Sequence, residues 1–117
     1  MATYSKILLS GSTNGKGIKV AGTAIGSATT IHTAASGTGF IDLLDLWAVN
    51  SDTVPHKLTL AWGGTTNPDN AIEIFLAPES GLVPVAIKLP IQNSLVVGAF
   101  TDVTNMVVIY GTASHIA

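Results

Sequence analysis

Short apolar runs rich in β-branched residues recur along the whole chain, and clusters of Gly, Asn, Asp, Ser and Pro separate them. This punctuation belongs to antiparallel strands joined by turns. The clearest case is His56-Lys57-Leu58-Thr59-Leu60-Ala61-Trp62, where Leu58, Leu60 and Trp62 fall on one face and Lys57 and Thr59 on the other. We place strands at residues 4–10, 17–24, 29–34, 40–50, 56–62, 71–76, 82–88, 94–101 and 106–112. A chain of 117 residues suits one domain. The expectation is a single all-β domain over 1–117, an antiparallel β-sandwich or jelly roll, with an extended N-terminal segment and an arm over 1–16.

Two segments qualify this pattern. Phe40-Ile41-Asp42-Leu43-Leu44-Asp45-Leu46-Trp47-Ala48-Val49 would set Ile41, Leu44 and Ala48 on one face of a helix, or Ile41, Leu43, Trp47 and Val49 on one face of a strand. The strand is preferred, because no N-cap precedes the run and Asn50-Ser51-Asp52 leads straight into a turn before Pro55. Residues 10–39 are dominated by Gly, Ser, Thr and Ala and give weak strand signals, as expected of an arm or long loop that orders against a partner.

Leu95-Val96-Val97 and Met106-Val107-Val108-Ile109-Tyr110 are apolar on both faces, which fits central strands or strands that meet a neighbouring subunit. Pro84 lies inside the run 82–88 and cannot donate to a ladder, so that strand is expected at an edge or at a bulge.

Charge then limits function. Only 10% of the residues are charged, against about 25% in ordinary soluble domains. The cations are Lys6, Lys16, Lys19, Lys57 and Lys88, scattered and without Arg, and the net charge is -2. Nucleic acid and anionic membrane surfaces are therefore disfavoured as partners. Cysteine is absent, which excludes disulfides and thiolate metal sites. Residues 20–41 carry no formal charge but are too rich in Gly, Thr, Ser and Ala for a membrane helix. Ile7-Leu8-Leu9 is too short for a signal-peptide core, so cytoplasmic synthesis is expected. So apolar a surface implies that subunits associate.

The motifs that would carry chemistry are weak. Gly11-Ser12-Thr13-Asn14-Gly15-Lys16-Gly17 has three residues between its first two glycines where a phosphate loop has four, and a β-like stretch follows in place of a helix. It reads as a turn, and no cofactor is assigned. His32, His56 and His115 lie on separate segments without the spacing of a zinc motif, so no metal is assigned. No Gly-x-Ser-x-Gly elbow is present, and a His56–Asp52 pair has no nucleophile marked beside it. Asp42 and Asp45, three apart on a strand, point to opposite faces and cannot act as paired acid and base; each would need a hydrogen-bonding partner if buried. No catalytic residue is assigned.

The most distinctive loop is Trp62-Gly63-Gly64-Thr65-Thr66-Asn67-Pro68-Asp69-Asn70. Trp62 offers a face for a sugar ring, and Asn67, Asp69 and Asn70 offer oxygen ligands for calcium. The simpler reading is a core Trp followed by a turn in which Gly63 and Gly64 supply positive φ.

Taken together, Lys6-Ile7-Leu8-Leu9-Ser10-Gly11-Ser12-Thr13-Asn14-Gly15-Lys16-Gly17-Ile18, Thr30-Ile31-His32-Thr33-Ala34, Leu46-Trp47-Ala48-Val49-Asn50, Lys57-Leu58-Thr59-Leu60-Ala61-Trp62-Gly63-Gly64-Thr65-Thr66 and Leu89-Pro90-Ile91-Gln92-Asn93 resemble small structural proteins of tailed bacteriophages. Within that group the chain is most similar to capsid decoration, or cement, proteins. The resemblance implies an oligomer, trimer or dimer, bound on the capsid exterior across joints between major capsid protein subunits. Ile7, Leu8, Ile18, Val20, Trp62, Thr65, Thr66 and Asn67 are the candidate interface residues, chosen for flexibility and apolarity and not by transfer from any relative. A tail, baseplate or head-fibre component is the nearest alternative, and a carbohydrate-binding module using Trp62 or Trp47 is the alternative from another class.

Overall fold

The computed structural model describes residues 4–66 and 68–117, and these form two antiparallel sheets packed face to face. The strands are β1 (Tyr4–Leu8), β2 (Ile18–Lys19), β3 (Thr29–Thr33), β4 (Ile41–Asn50), β5 (His56–Trp62), β6 (Ala71–Leu76), β7 (Val83–Ile91), β8 (Val96–Thr101) and β9 (Val107–Ile116). One sheet, here sheet A, runs β1-β9-β4-β7, with β2 paired to β9 beyond the end of β1. Sheet B runs β3-β8-β5-β6. A 3-10 turn, Ile25–Ser27, bridges β2 and β3.

Alternation builds the core. On β4 the even positions Leu44, Leu46 and Ala48 turn inward and meet Leu58, Leu60, Val97 and Ala99 of sheet B, all fully buried. The run 106–110, apolar on both faces, belongs to β9, which lies between β4 and the β1/β2 edge; β8 is likewise central in sheet B. Each buried Leu, Ile or Val contributes about 1.5–3 kcal/mol. Gly111 is required where β9 crosses β4, because a Cβ there would lie 2.1 Å from the Asp45 carbonyl oxygen.

β7 is an edge strand, and its register against β4 shifts at Leu44/Leu46 and again at Leu46/Trp47, so Pro84 sits at both an edge and an irregularity. Lys88, with φ of 52°, marks a further kink, and its N–H turns out of the ladder to donate to Asp45 Oδ1 at 2.9 Å.

The N-terminal third departs from the expected arm. From Tyr4 onward it is integrated: Tyr4–Leu8 pairs with Ile116 to Thr112 of β9, Leu9 is buried, and Gly11 N–H donates to the Ile31 carbonyl. The weak strand at 17–24 contracts to Ile18–Lys19, since Gly22 and the 3-10 turn interrupt it. Residues 1–3 of the arm lie outside the described residues.

Candidate functional site

The most unusual surface is the outer face of sheet A. Register places Ile41, Leu43, Asp45, Trp47 and Val49 of β4 opposite Ile116, Ser114, Thr112, Tyr110 and Val108 of β9, all facing away from the core. The shared strand face anticipated for Ile41, Leu43, Trp47 and Val49 is therefore the solvent side. An antiparallel sheet with one solvated face ordinarily carries polar residues there. Here Tyr4, Leu8, Ile41 and Tyr110 are exposed, and Leu43, Trp47, Val49 and Val108 half-exposed. One ion pair interrupts the face, Lys6 Nζ to Asp45 Oδ2 at 3.6 Å. Tyr4 Oη donates to Ser114 Oγ at 2.9 Å, which ties β1 down across β9.

The candidate interface residues separate into groups. Leu8, on the outer face of β1, is exposed, and Ile7 lies on the same edge strand at 36% exposure. Ile18 and Val20 are corrected to core positions, at 7% and 0% exposure: Ile18 pairs with Ile109 on the inner face of β9, and Val20 N–H donates to the Val107 carbonyl. Neither presents a surface to a partner. Thr65 and Thr66 are exposed in the loop after β5, and Asn67 lies outside the described residues.

Trp62 is half-buried against the core, and its indole N–H donates to the Pro90 carbonyl at 3.0 Å. It lines a groove of about 470 Å³ with Ile41, Asn70, Pro90, Ile91, Gln92 and Leu95 among its walls. Asn70 of this loop, and Gln92 beside it, are engaged by the protein's own backbone. Asn70 Oδ1 accepts from Thr66 N–H and its amide donates to the Trp62 carbonyl, while the Gln92 amide is placed to donate to the Phe40 and Thr38 carbonyls. Gly63 has φ of 77°, and Gly64 leaves room for Asn70, whose Oδ1 would lie 2.6 Å from an added Cβ.

The three histidines form two carboxylate clusters. His32, buried on β3, accepts from Ser10 N–H at Nδ1, 3.0 Å, which places its own proton on Nε2, donated to Asp42 Oδ2 at 2.8 Å. His115 Nδ1 donates to Asp42 Oδ1 at 2.6 Å, and its ring stacks on Phe40 with centroids 5.1 Å apart. Burial pushes the Asp42 carboxyl upward, but its hydrogen bonds and electrostatic attraction to His32 and His115 outweigh it and hold it below the ordinary 3.8.

At the opposite end of β4, His56 bridges Asp52 Oδ2 at 2.7 Å and Asp102 Oδ1 at 2.8 Å. The Asp52 hydrogen bond lifts the His56 pKa above 6.5 against burial, with Asp102 adding to the rise, and that same contact lowers Asp52. Both His56 ring nitrogens are thereby engaged by carboxylates. Asp42 and Asp45 do point to opposite faces, Asp42 into the His cluster and Asp45 to the outer surface.

The Asp42 cluster links β3 of sheet B to β4 and β9 of sheet A, and Asp102 reaches His56 from 46 positions away, whereas the His56–Asp52 contact is local. Among the described residues no three His, Asp or Glu side chains converge as metal ligands, and no helix is long and apolar enough to cross a membrane. The sequence offered the His56–Asp52 pair by its four-residue spacing and Asp42 as a carboxylate inside an apolar run that needs a donor when buried, but it gave no sign of the partners His32, His115 and Asp102. Comparison with protein families, curated proteins and solved structures finds no match to this chain.

Proposed function

We propose that this chain is a non-enzymatic structural protein that acts by assembly, most specifically a decoration protein of a tailed-bacteriophage capsid. In this reading it binds the capsid exterior as a homo-oligomer, across joints between major capsid protein subunits. The observation that carries the assembly reading is the apolar outer face of sheet A, with Trp47 and Tyr110 paired at its centre where a solvated sheet would place polar residues. The phage assignment draws on the sequence resemblance. The strand order β2-β9-β4-β7 over β3-β8-β5-β6 supports reading the sandwich as a jelly roll, an architecture found in viral capsid domains and lectins, although fold alone does not assign function.

Mechanism in this reading is additive interface energy. A subunit that buries about 1,000–2,000 Å² over a composite site binds the assembled shell and not the free capsid subunits, so it shifts the equilibrium toward the intact lattice. Few charges need desolvation on the contact face, since Lys6 and Asp45 already neutralise one another there. The occupation of both His56 nitrogens supports the non-enzymatic reading.

Electron cryo-microscopy of particles that carry this chain tests the proposal. Density for the sandwich on the outer shell, over joints between capsid subunits, is expected. Density confined to the tail, baseplate or a head fibre would assign it to those structures instead. A carbohydrate-binding reading rests on the groove beside Trp62, and the inward commitment of Asn70 and Trp62 Nε1 weighs against it.

A further inference from the structure

The free sheet edges are not equally protected. β7 carries Pro84, Pro90 and two register shifts, β1 carries Lys6, and the outer edge of β3 is covered by Ser10 and Gly11, with Thr33 N–H donating to Ser10 Oγ at 2.7 Å. These are the usual means by which natural sheets block unwanted strand addition. β6 lacks the prolines, the register shifts and the covering segment. It pairs with β5 in unbroken register from Ala71 to Leu76, contains no proline, and has Glu73 as its one charge, already held by Lys57 at 2.9 Å. Phe75, on its outer face, is 74% exposed.

The pattern of its hydrogen bonds says which groups are free. Trp62 N–H donates to the Asn70 carbonyl, so Asn70 and the even positions after it direct their backbone groups to β5. Glu73 and Phe75 therefore direct theirs outward, to the open edge. We propose that β6 pairs antiparallel with β6 of a second copy of this chain, about a two-fold axis through Ile74. The inference deepens the assembly reading and takes from it that the chain works as an oligomer.

Parity and charge select that axis. Residues directly opposite across an antiparallel pair lie on the same face, which leaves axes through Glu73 or through Ile74 near the strand centre. The first sets Glu73 against its own copy, a like-charge pair that destabilises. The second sets Glu73 opposite Phe75 of the partner, so that the outward groups of both exchange hydrogen bonds. It also makes the two Phe75 rings diagonal neighbours, within the roughly 7–8 Å over which aromatic side chains still meet. The two copies of sheet B become one continuous sheet, and the contact closes on itself without leaving a β6 edge open.

The absence of cysteine makes a clean test. Ile74→Cys places two thiols at a non-hydrogen-bonded pair about 4.5 Å apart between Cα atoms, within disulfide reach, and mild oxidation should convert most of the chain to a covalent dimer. Glu73→Cys sets its thiols diagonally, beyond that reach, and should stay uncrosslinked. Phe75→Pro removes an outward N–H without touching the β5 ladder; it should weaken self-association at least tenfold by sedimentation with the circular dichroism spectrum unchanged. Crosslinking of Glu73→Cys in preference to Ile74→Cys overturns the register. An oligomer indifferent to Phe75→Pro and uncrosslinked at Ile74→Cys overturns the edge pairing while leaving the assembly reading in place. A wild-type chain that stays monomeric overturns both.

Discussion

His32 of β3 and Asp42 of β4 meet across the gap between the two sheets, Nε2 donating to Oδ2 at 2.8 Å, with both side chains almost wholly buried. Their bond adds a directional link to the apolar contact between the layers, as do Trp62 Nε1 on the Pro90 carbonyl and the Asn50 amide on the Leu76 carbonyl. The His32–Asp42 bond fixes one edge of sheet B against sheet A, and Ser10 N–H on His32 Nδ1 brings the N-terminal segment into the same unit.

Removal of the central acceptor tests that role. Asp42→Ala leaves two imidazole donors without their carboxylate, and breaking a buried pair by deleting one partner costs about 3–5 kcal/mol. Urea unfolding should show a loss in that range. A loss under about 1 kcal/mol would mean that the cluster is not structural.

Stability should fall toward both ends of the pH scale, through different groups. Asp42 and Asp52 titrate lower in the folded chain than unfolded, so their contribution is present above 3.8 and is lost as pH falls through the depressed folded values. His56 titrates higher in the folded chain, so its contribution is complete below 6.5 and is lost as pH rises through the raised value. Thermal melts across pH should therefore show the Asp42→Asn variant with a shallower acid limb and His56→Gln with a shallower alkaline limb. Limbs unchanged in both variants would refute the assignment.

On the outer face of sheet A, Tyr110→Asp changes an exposed side chain at the centre of the apolar surface. Folding stability should shift by no more than about 1 kcal/mol, whereas the proposed decoration role predicts that binding to an assembled shell weakens at least tenfold. Capsid co-sedimentation together with a thermal melt separates the two effects.

Trp62→Ala should behave in the opposite way. Its ring packs on the core and its N–H reaches the Pro90 carbonyl, so truncation should cost about 2–4 kcal/mol by chemical denaturation. A glycan array should show no binding by the wild type that this variant abolishes; such binding would restore the carbohydrate reading.

The strands were legible because alternation and turn chemistry are local. His56–Trp62 and Ala71–Leu76 have the boundaries expected from pattern alone, and Pro84 correctly signalled an irregular edge. The N-terminal third was harder to read: Tyr4–Leu8 is held by pairing with a strand more than one hundred residues away. Likewise His115 and Asp42 are 73 positions apart, and no local spacing announces their contact. Ile18 and Val20 looked available because their neighbours are Gly, Thr and Ala, but pairing with β9 turns both into the core between the sheets. For β4 the sequence marked which residues share a face, yet both faces are apolar, and only the position of sheet B decides which one becomes the core.

Size-exclusion chromatography with light scattering on the wild-type chain tests the central claim most directly. The account predicts a mass that is a stable multiple of 12.0 kDa at micromolar concentration, with the exposed apolar surface shared between subunits. A single 12.0 kDa species that persists as concentration rises would contradict it.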